Sequence, residues 1–290
     1  MRPATGEDAA AVAEIFAAVE ETLTGRPSNF DAEAINGWWQ TIPFETNTWL
    51  FEEDGTLIAA AGGQAHGERG NGGGAVRPSA WGRGLGTRLI ELVEERLGED
   101  GATRIHSWAL AADERASELF RRHGYDEVRR FWEMAIDFEV EPPPPEAAIE
   151  TFRAEDGPGF HAALEEAFED HWEPHPEPFE TWWARQVARE NYDPSLWFLI
   201  RDGDEIAALA RNESRTGAGY IGALAVRRPW RGRGYGRDLL RHTFREFMRR
   251  GLTRATLGVD AANPTGATHL YEKLGMHVEQ EEIVWEKVLG

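Results

Sequence analysis

Val226-Arg-Arg-Pro-Trp-Arg-Gly-Arg-Gly-Tyr-Gly-Arg-Asp-Leu-Leu240 joins an apolar, strand-like segment, Tyr220 to Val226, to a helical pattern. The helix carries Leu239, Leu240, Thr243, Phe244, Phe247 and Met248 on one face and is stopped by Gly251. A strand, a glycine-rich turn bearing arginines and a helix N-terminus make an anion cradle. Glycine lets backbone N–H groups turn inward, and the helix end adds its positive dipole.

The turn is not a dinucleotide fingerprint, because Gly236 falls one residue too early for the third glycine after Gly232 and Gly234. It is not a P-loop either, since no Gly-Lys-Ser/Thr follows. Downstream, a strand-like Ala255 to Val259 leads into Asp260-Ala-Ala-Asn263-Pro-Thr-Gly-Ala267 and then Leu270-Tyr271-Glu-Lys-Leu274-Gly275-Met276. Arg231-x-x-Gly234-x-Gly236 followed by this second motif resembles the GNAT-type N-acetyltransferases, which hold the diphosphate of acetyl-coenzyme A in such a loop.

The resemblance implies an acetyl-CoA-dependent N-acyltransferase in which a primary amine attacks the thioester directly, in a ternary complex. In that family the fourth and fifth strands splay apart and the pantetheine arm lies between them. Leu224, Ala225 and Val226 are then expected to offer backbone groups to it, with an N–H near Ala225 or Val226 polarising the thioester carbonyl. Arg231, Gly232, Arg233, Gly234, Gly236 and Arg237 are expected around the diphosphate, where a guanidinium suits phosphate oxygens. Asn263 either bonds the coenzyme or caps a helix begun by Pro264. Tyr271 stands at the position of the general acid that protonates the departing sulfur, and a phenol pKa of about 10 is close to that of a thiol. For the general base Glu213 is the first candidate, with Glu173 and Asp170 as others. A water chain in place of a single base is the alternative. The family's proline two residues after the strand valine is displaced here to Pro229.

Acceptor specificity is expected from Phe168 to Trp183, which holds His171, Trp172, Glu173, His175, Trp182 and Trp183. Such aromatics can wall a pocket or hold an ammonium by cation–π contact, or can be ordinary core. His171 and His175 have the spacing of helical metal ligands, but the flanking prolines oppose a helix and no third ligand is evident. No metal is expected.

Composition sets the outer limits. The 290 residues, 41% hydrophobic and 28% charged, suit a globular protein large enough for two domains. No apolar run approaches the roughly 20 residues of a membrane span, and Met1 to Asp8 reads as no signal peptide. With no cysteine there is no disulfide framework and no thiolate nucleophile. A cytoplasmic setting and a monomer or homodimer are expected. A net charge of −20 argues against nucleic acid and is compatible with cationic amines, as small molecules or peptide termini.

Glu141-Pro-Pro-Pro-Pro-Glu146 reads as a stiff spacer between two similar halves. Trp38-Trp39 answers Trp182-Trp183, and the hairpin signal Asp54-Gly55 answers Asp202-Gly203. Val76 to Gly86 answers Val226 to Gly236, and Leu119 to Tyr125 answers Leu270 to Met276. The expected fold is therefore α/β (α+β): two tandem GNAT-like domains, each a mixed, mostly antiparallel twisted sheet flanked by helices. The boundaries are residues 1–140, a linker 141–149, and 150–290. The tandem form is similar in architecture to the mycothiol synthases. Trp81 stands where the second half has Arg231, and Phe120 where it has Tyr271, so the first half reads as a degenerate copy and the second as catalytic. Gly67 to Gly74 reads as a flexible loop. A module that binds acyl-CoA without transferring anything is the alternative function.

Overall fold

The computed structural model describes residues 1–290 apart from Asn29, Thr41, Pro174, His175, Glu190 and Thr216. In chain order the elements are α1 (Ala9–Thr24), α2 (Ala32–Trp39), α3 (Phe44–Asn47), β1 (Thr48–Glu53), β2 (Thr56–His66), β3 (Arg69–Val76), α4 (Leu85–Glu99), β4 (Arg104–Leu110), α5 (Glu114–Arg122) and β5 (Asp126–Asp137). The second half repeats the pattern after a two-residue strand, β6 (Glu150–Thr151). It continues through α6 (Gly157–Phe168), α7 (Phe179–Val187), β7 (Trp197–Asp202), β8 (Glu205–Arg215), β9 (Ala218–Val226), α8 (Tyr235–Arg249), β10 (Arg254–Asp260), α9 (Ala267–Lys273) and β11 (His277–Val288). No helix among the described residues is long and apolar enough to cross a membrane.

The chain forms two compact units, and they are interleaved. One comprises Met1–Arg130 with Glu281–Gly290, the other Phe131–Gln280. In the first unit, β1, β2 and β3 form an antiparallel meander and β3 runs parallel to β4. The sheet is closed by the end of β11, which pairs antiparallel with β4 from Glu282↔Leu110 to Val288↔Arg104. In the second unit, β7, β8 and β9 are antiparallel and β9 runs parallel to β10. Its closing strand is the end of β5, paired with β10 from Phe131↔Asp260 to Asp137↔Arg254. Each unit is thus completed by a strand from the other half of the sequence. The sequence-based boundaries assigned those strands to their own halves, because hydrophobic alternation does not specify which edge a strand joins.

Local chemistry explains the elements. Asp54 and Gly55 have φ of +49° and +76°, as a tight hairpin turn between β1 and β2 requires. On α8, Leu239, Leu240, Thr243, Phe244 and Phe247 are buried while Met248 is half-buried. Burial of each of those leucine and phenylalanine side chains stabilises by about 1.5–3 kcal/mol.

Two expectations change here. Gly67 to Gly74 is mostly strand, not a flexible loop: β3 pairs with β2 along its length. Glycine is needed because α4 lies directly on it, and a Cβ at Gly72 would stand 2.4 Å from Val93 Cγ1. The proline run is not a free spacer. It belongs to the second unit and is tied to α8, where Arg245 donates to the Pro142 carbonyl (2.7 Å) and Asp238 accepts from the Ala147 N–H (3.0 Å).

Interleaving makes a strong prediction about fragments. Residues 1–140 alone lack Ile283 and Trp285, which are buried in the first unit's core; loss of the Trp285 side chain alone costs about 3–5 kcal/mol. Residues 1–140 should therefore show no cooperative thermal transition. Residues 1–130 with 281–290 joined by a flexible linker should regain one. A cooperative melt of the 1–140 fragment would refute the strand assignment.

Candidate active site

All of the site lies in the second unit. β9 and β10 share only two paired positions, Ala255↔Gly219 and Thr256↔Tyr220, and then diverge. A cleft of about 360 Å³ opens between Ile221–Val226 on one side and Leu257–Asp260 on the other. A β-bulge lies on the wall of that cleft. The β8–β9 register slips between Arg211 and Asn212, and Gly222 is the residue left over.

Beyond the bulge the ladder fixes which backbone groups face the cleft. The Arg227 N–H donates to the Ala207 carbonyl, so hydrogen-bonded pairs recur at Ala225↔Leu209. Leu224 and Val226 therefore turn N–H and C=O away from β8, whereas Ala225 spends both on it. Of the three backbone donors expected from sequence, Ala225 is the one the ladder removes.

The cradle closes one end. Gly232 and Gly234 have φ of +79° and +86°, a region L side chains avoid, and α8 starts at the next residue. The first-turn N–H groups of α8 have no intrahelical acceptor. Gly236 must be small for another reason, since a Cβ there would approach Leu270 Cδ2 to 3.1 Å.

The cradle arginines are all engaged. Arg231 Nε donates to the Val226 carbonyl (3.1 Å), Nη2 to the Ala167 carbonyl (3.4 Å), and Nη1 pairs with Asp170 (3.1 Å). It is a strut tying the end of α6 to the turn, not a guanidinium held open for a ligand. Arg228 also bonds Asp170, and the two guanidinium groups hold that carboxyl down to about 2, which makes it a poor proton acceptor. Arg233 pairs with Asp202 (3.2 Å), and Arg237 with Asp238 (3.1 Å) and Glu146 (3.0 Å).

The titratable groups lining the cleft include Tyr271, His171 and Asp260. Tyr271, on α9, is 6% exposed, and burial pushes its phenol up to about 12. His171 stacks on Phe168 with ring centroids 4.1 Å apart. Burial lowers its pKa below 6.5 against the raising influence of Asp260 and Asp170, so the ring is neutral at pH 7. Asp260 is buried and accepts from the Ala262 N–H (2.9 Å).

Other expected residues stand elsewhere. Glu213 does not line the cleft. It is buried, with Oε2 on Arg189 (2.9 Å) and Oε1 on Arg215 (2.8 Å), which commits both oxygens. Trp172 packs against Phe131 (6.1 Å), and Glu173 occupies a left-handed backbone position (φ +49°); neither lines the cleft. Trp182 is core, stacked with Phe160 and tilted against Trp197, and Trp183 packs on Phe179. His175 lies outside the described residues. Asn263 lines the cleft, but its Oδ1 accepts from the Thr265 N–H (2.8 Å) and α9 starts only at Ala267, so it shapes a turn and does not cap a helix begun by Pro264. Sequence reading gave no role to Asp260 or Phe131, although the strand-end position of Asp260 was a usable signal.

The corresponding region of the first unit differs in three ways. β2 and β3 pair from Ala59↔Val76 to His66↔Arg69 without a register shift, so the bulge is missing. Trp81 replaces Arg231 yet keeps one of its bonds, because its indole N–H donates to the Val76 carbonyl (2.7 Å) as Arg231 Nε does to Val226. The Arg115 guanidinium lies 3.3 Å from the centre of the Trp81 ring. Phe120 packs against Tyr125 and Trp285.

The profile of the Acetyltransferase (GNAT) family matches residues 13–125 and again 159–276. The mycothiol acetyltransferase of Acidothermus cellulolyticus is 31% identical over 239 residues, 73% of this chain and 69% of that protein. That of Nocardia farcinica is 29% identical over 286 residues, 93% and 91% of the two chains. Among solved structures, a GCN5-related N-acetyltransferase from Sphaerobacter thermophilus superposes with a TM-score of 0.84 at 32% identity, covering 99% of this chain and 94% of its own. A tandem GNAT protein from the clavulanic acid biosynthesis pathway shares the fold at a TM-score of 0.75 and 14% identity, covering 100% and 98%. With two family matches spanning most of its length, the chain belongs to the GNAT acetyltransferases as a tandem member, and its reaction is acetyl-CoA-dependent N-acetyl transfer.

Proposed function

We propose that the second unit carries the transfer, to the primary amine of a small molecule, and that the first unit is a non-catalytic copy. The observation that carries this is the bulged cleft, with a neutral imidazole and a protonated phenol on its walls, and no such bulge in the first unit. The relatives named mycothiol acetyltransferases make an amine of that kind of metabolite a first acceptor to try. An acyl-CoA-binding module without transfer has no observation in its favour.

In this reading the diphosphate of acetyl-CoA meets the open N–H groups at the start of α8, and the pantetheine arm lies along β9. Its oxygens compete with Asp202 and Glu146 for Arg233 and Arg237, while Arg231 keeps the turn in place. The amine nitrogen attacks the thioester carbonyl carbon in a ternary complex, and His171 accepts the proton that the nitrogen loses. The N–H of Leu224 or Val226 stabilises the oxyanion, a contribution of about 3 kcal/mol where such donors have been removed in other enzymes. As the C–S bond breaks, the Tyr271 hydroxyl gives its proton to the sulfur, releasing free CoA thiol and the acetylated amine.

The chain has no cysteine, so a thiol reagent meets no protein thiol, and with a thiol-free amine its signal is the released CoA. Tyr271→Phe should lower kcat by roughly 10²- to 10⁴-fold, with acetyl-CoA affinity retained. Because burial holds the phenol protonated up to about 12, wild-type turnover should persist through pH 10, the ordinary phenol range. Unchanged turnover in Tyr271→Phe would remove the general acid.

His171 titrates from a depressed pKa, so kcat with the acceptor saturating should fall as pH drops below 6.5, whereas kcat/KM also carries the acceptor ammonium's own ionisation. In His171→Gln that acid limb should disappear along with most of the rate. An acid limb that survives the substitution assigns the base to another group or to water.

A further inference from the structure

Behind the bulge, between β8 and α7, lies a group of cations that the transfer reaction itself does not use. Arg211 is largely buried on β8. Its Nη2 donates to the carbonyl of Gly222, the bulge residue on the cleft wall (3.3 Å), and its Nη1 to the neutral side-chain amide of Gln186 on α7 (3.1 Å). Its Nε is buried with no hydrogen-bond partner. Among the described residues Arg211 bonds no carboxylate.

The carboxylates nearby are committed to other cations. Glu213 is shared by Arg189 and Arg215, and Glu177 is bonded by Arg185. Burial is the largest influence bringing the Arg211 pKa down to about 10; Arg189 and Arg185 add to it as like charges, against the opposing influence of Glu213 and Tyr220. A buried guanidinium without an ionic partner is costly, and here two more guanidinium groups crowd it within a chain of net charge −20. An anion at the outer guanidinium nitrogens relieves the repulsion.

We propose that Arg211, assisted by Arg189 and Arg185, is a subsite for an acid group on the acceptor, so that the substrate is an amine bearing a carboxylate or a phosphate. The inference rests on the acyltransfer reading above and narrows its substrate class. An acid held at Arg211 fixes the molecule beside Gly222, within reach of the bulged part of the cleft where the amine must meet the thioester. The guanidinium fork fits either oxyanion, and neither choice alters the transfer chemistry.

Product-side probes test this while the acceptor is still unidentified. With CoA saturating, calorimetry compares a set of N-acetyl-amino acids with their carboxamides, and N-acetylglucosamine 6-phosphate with N-acetylglucosamine. The acid should bind and its neutral counterpart should not, and the responding pair tells carboxylate from phosphate. Arg211→Gln should weaken the acid by about 10- to 100-fold, as loss of charge-assisted hydrogen bonds does; because Arg211 also bonds the Gly222 carbonyl on the cleft wall, the unchanged acetyl-CoA affinity is expected of Arg185→Gln. Arg185 is half-exposed, so Arg185→Gln should fold normally and weaken the same acid to a smaller degree, which covers the case of a poorly folded Arg211 variant. If acids bind no better than their neutral partners in both sets, or if neither variant lowers the preference, the subsite does not exist. Acetyl-CoA binding by the wild type, measured separately, reports on the acyltransfer reading alone.

Discussion

The extra residue at Gly222 is the constraint on which the site depends. In the first unit β3 pairs with β2 without a slip, although its parallel contact with β4 also ends after three positions. In the second unit the slip falls just beyond the two positions at which β9 pairs with β10, and it sets an extra residue on the cleft wall. The cleft is lined by the edge that Leu224 and Val226 turn away from β8 on one wall, and by the strand end carrying Asp260 on the other. The bulge in turn is held from behind, because its carbonyl accepts from Arg211.

Electrostatics sorts the carboxylates around this opening. Asp170 and Glu213 are each gripped by two arginines, so the acids that looked like bases in the sequence act as fasteners. Lysine is nearly absent, and arginine does this fastening throughout, with its planar fork suited to carboxylates. The imidazole of His171, kept neutral by burial, is left as a group at the cleft able to accept a proton at physiological pH.

The cradle and the segment from Asp260 to Met276 were legible because their glycines and the Leu270-Tyr271 pair answer local backbone demands. Tandem repetition was legible for the same reason, since turn chemistry recurs at matched spacing. Three things were hidden. Which edge each closing strand joins depends on partners more than a hundred residues away. The run Gly70 to Gly74 looks like a loop by composition, but its glycines answer the closeness of α4, a tertiary fact. Trp182 reads as a pocket wall until its burial against Phe160 and Trp197 is seen, because aromatic residues serve core and site alike.

Interleaving also sets an order in time. During synthesis, every strand of the second unit, from Phe131 onward, is available once Gln280 has left the ribosome, whereas the first unit waits for Glu281–Gly290. The part of the chain made first is therefore the last that can be sealed. Until then β4 stays an open edge, a template for mispairing with any neighbouring strand. Vectorial synthesis lets the second unit close first, and the first unit bears the exposure.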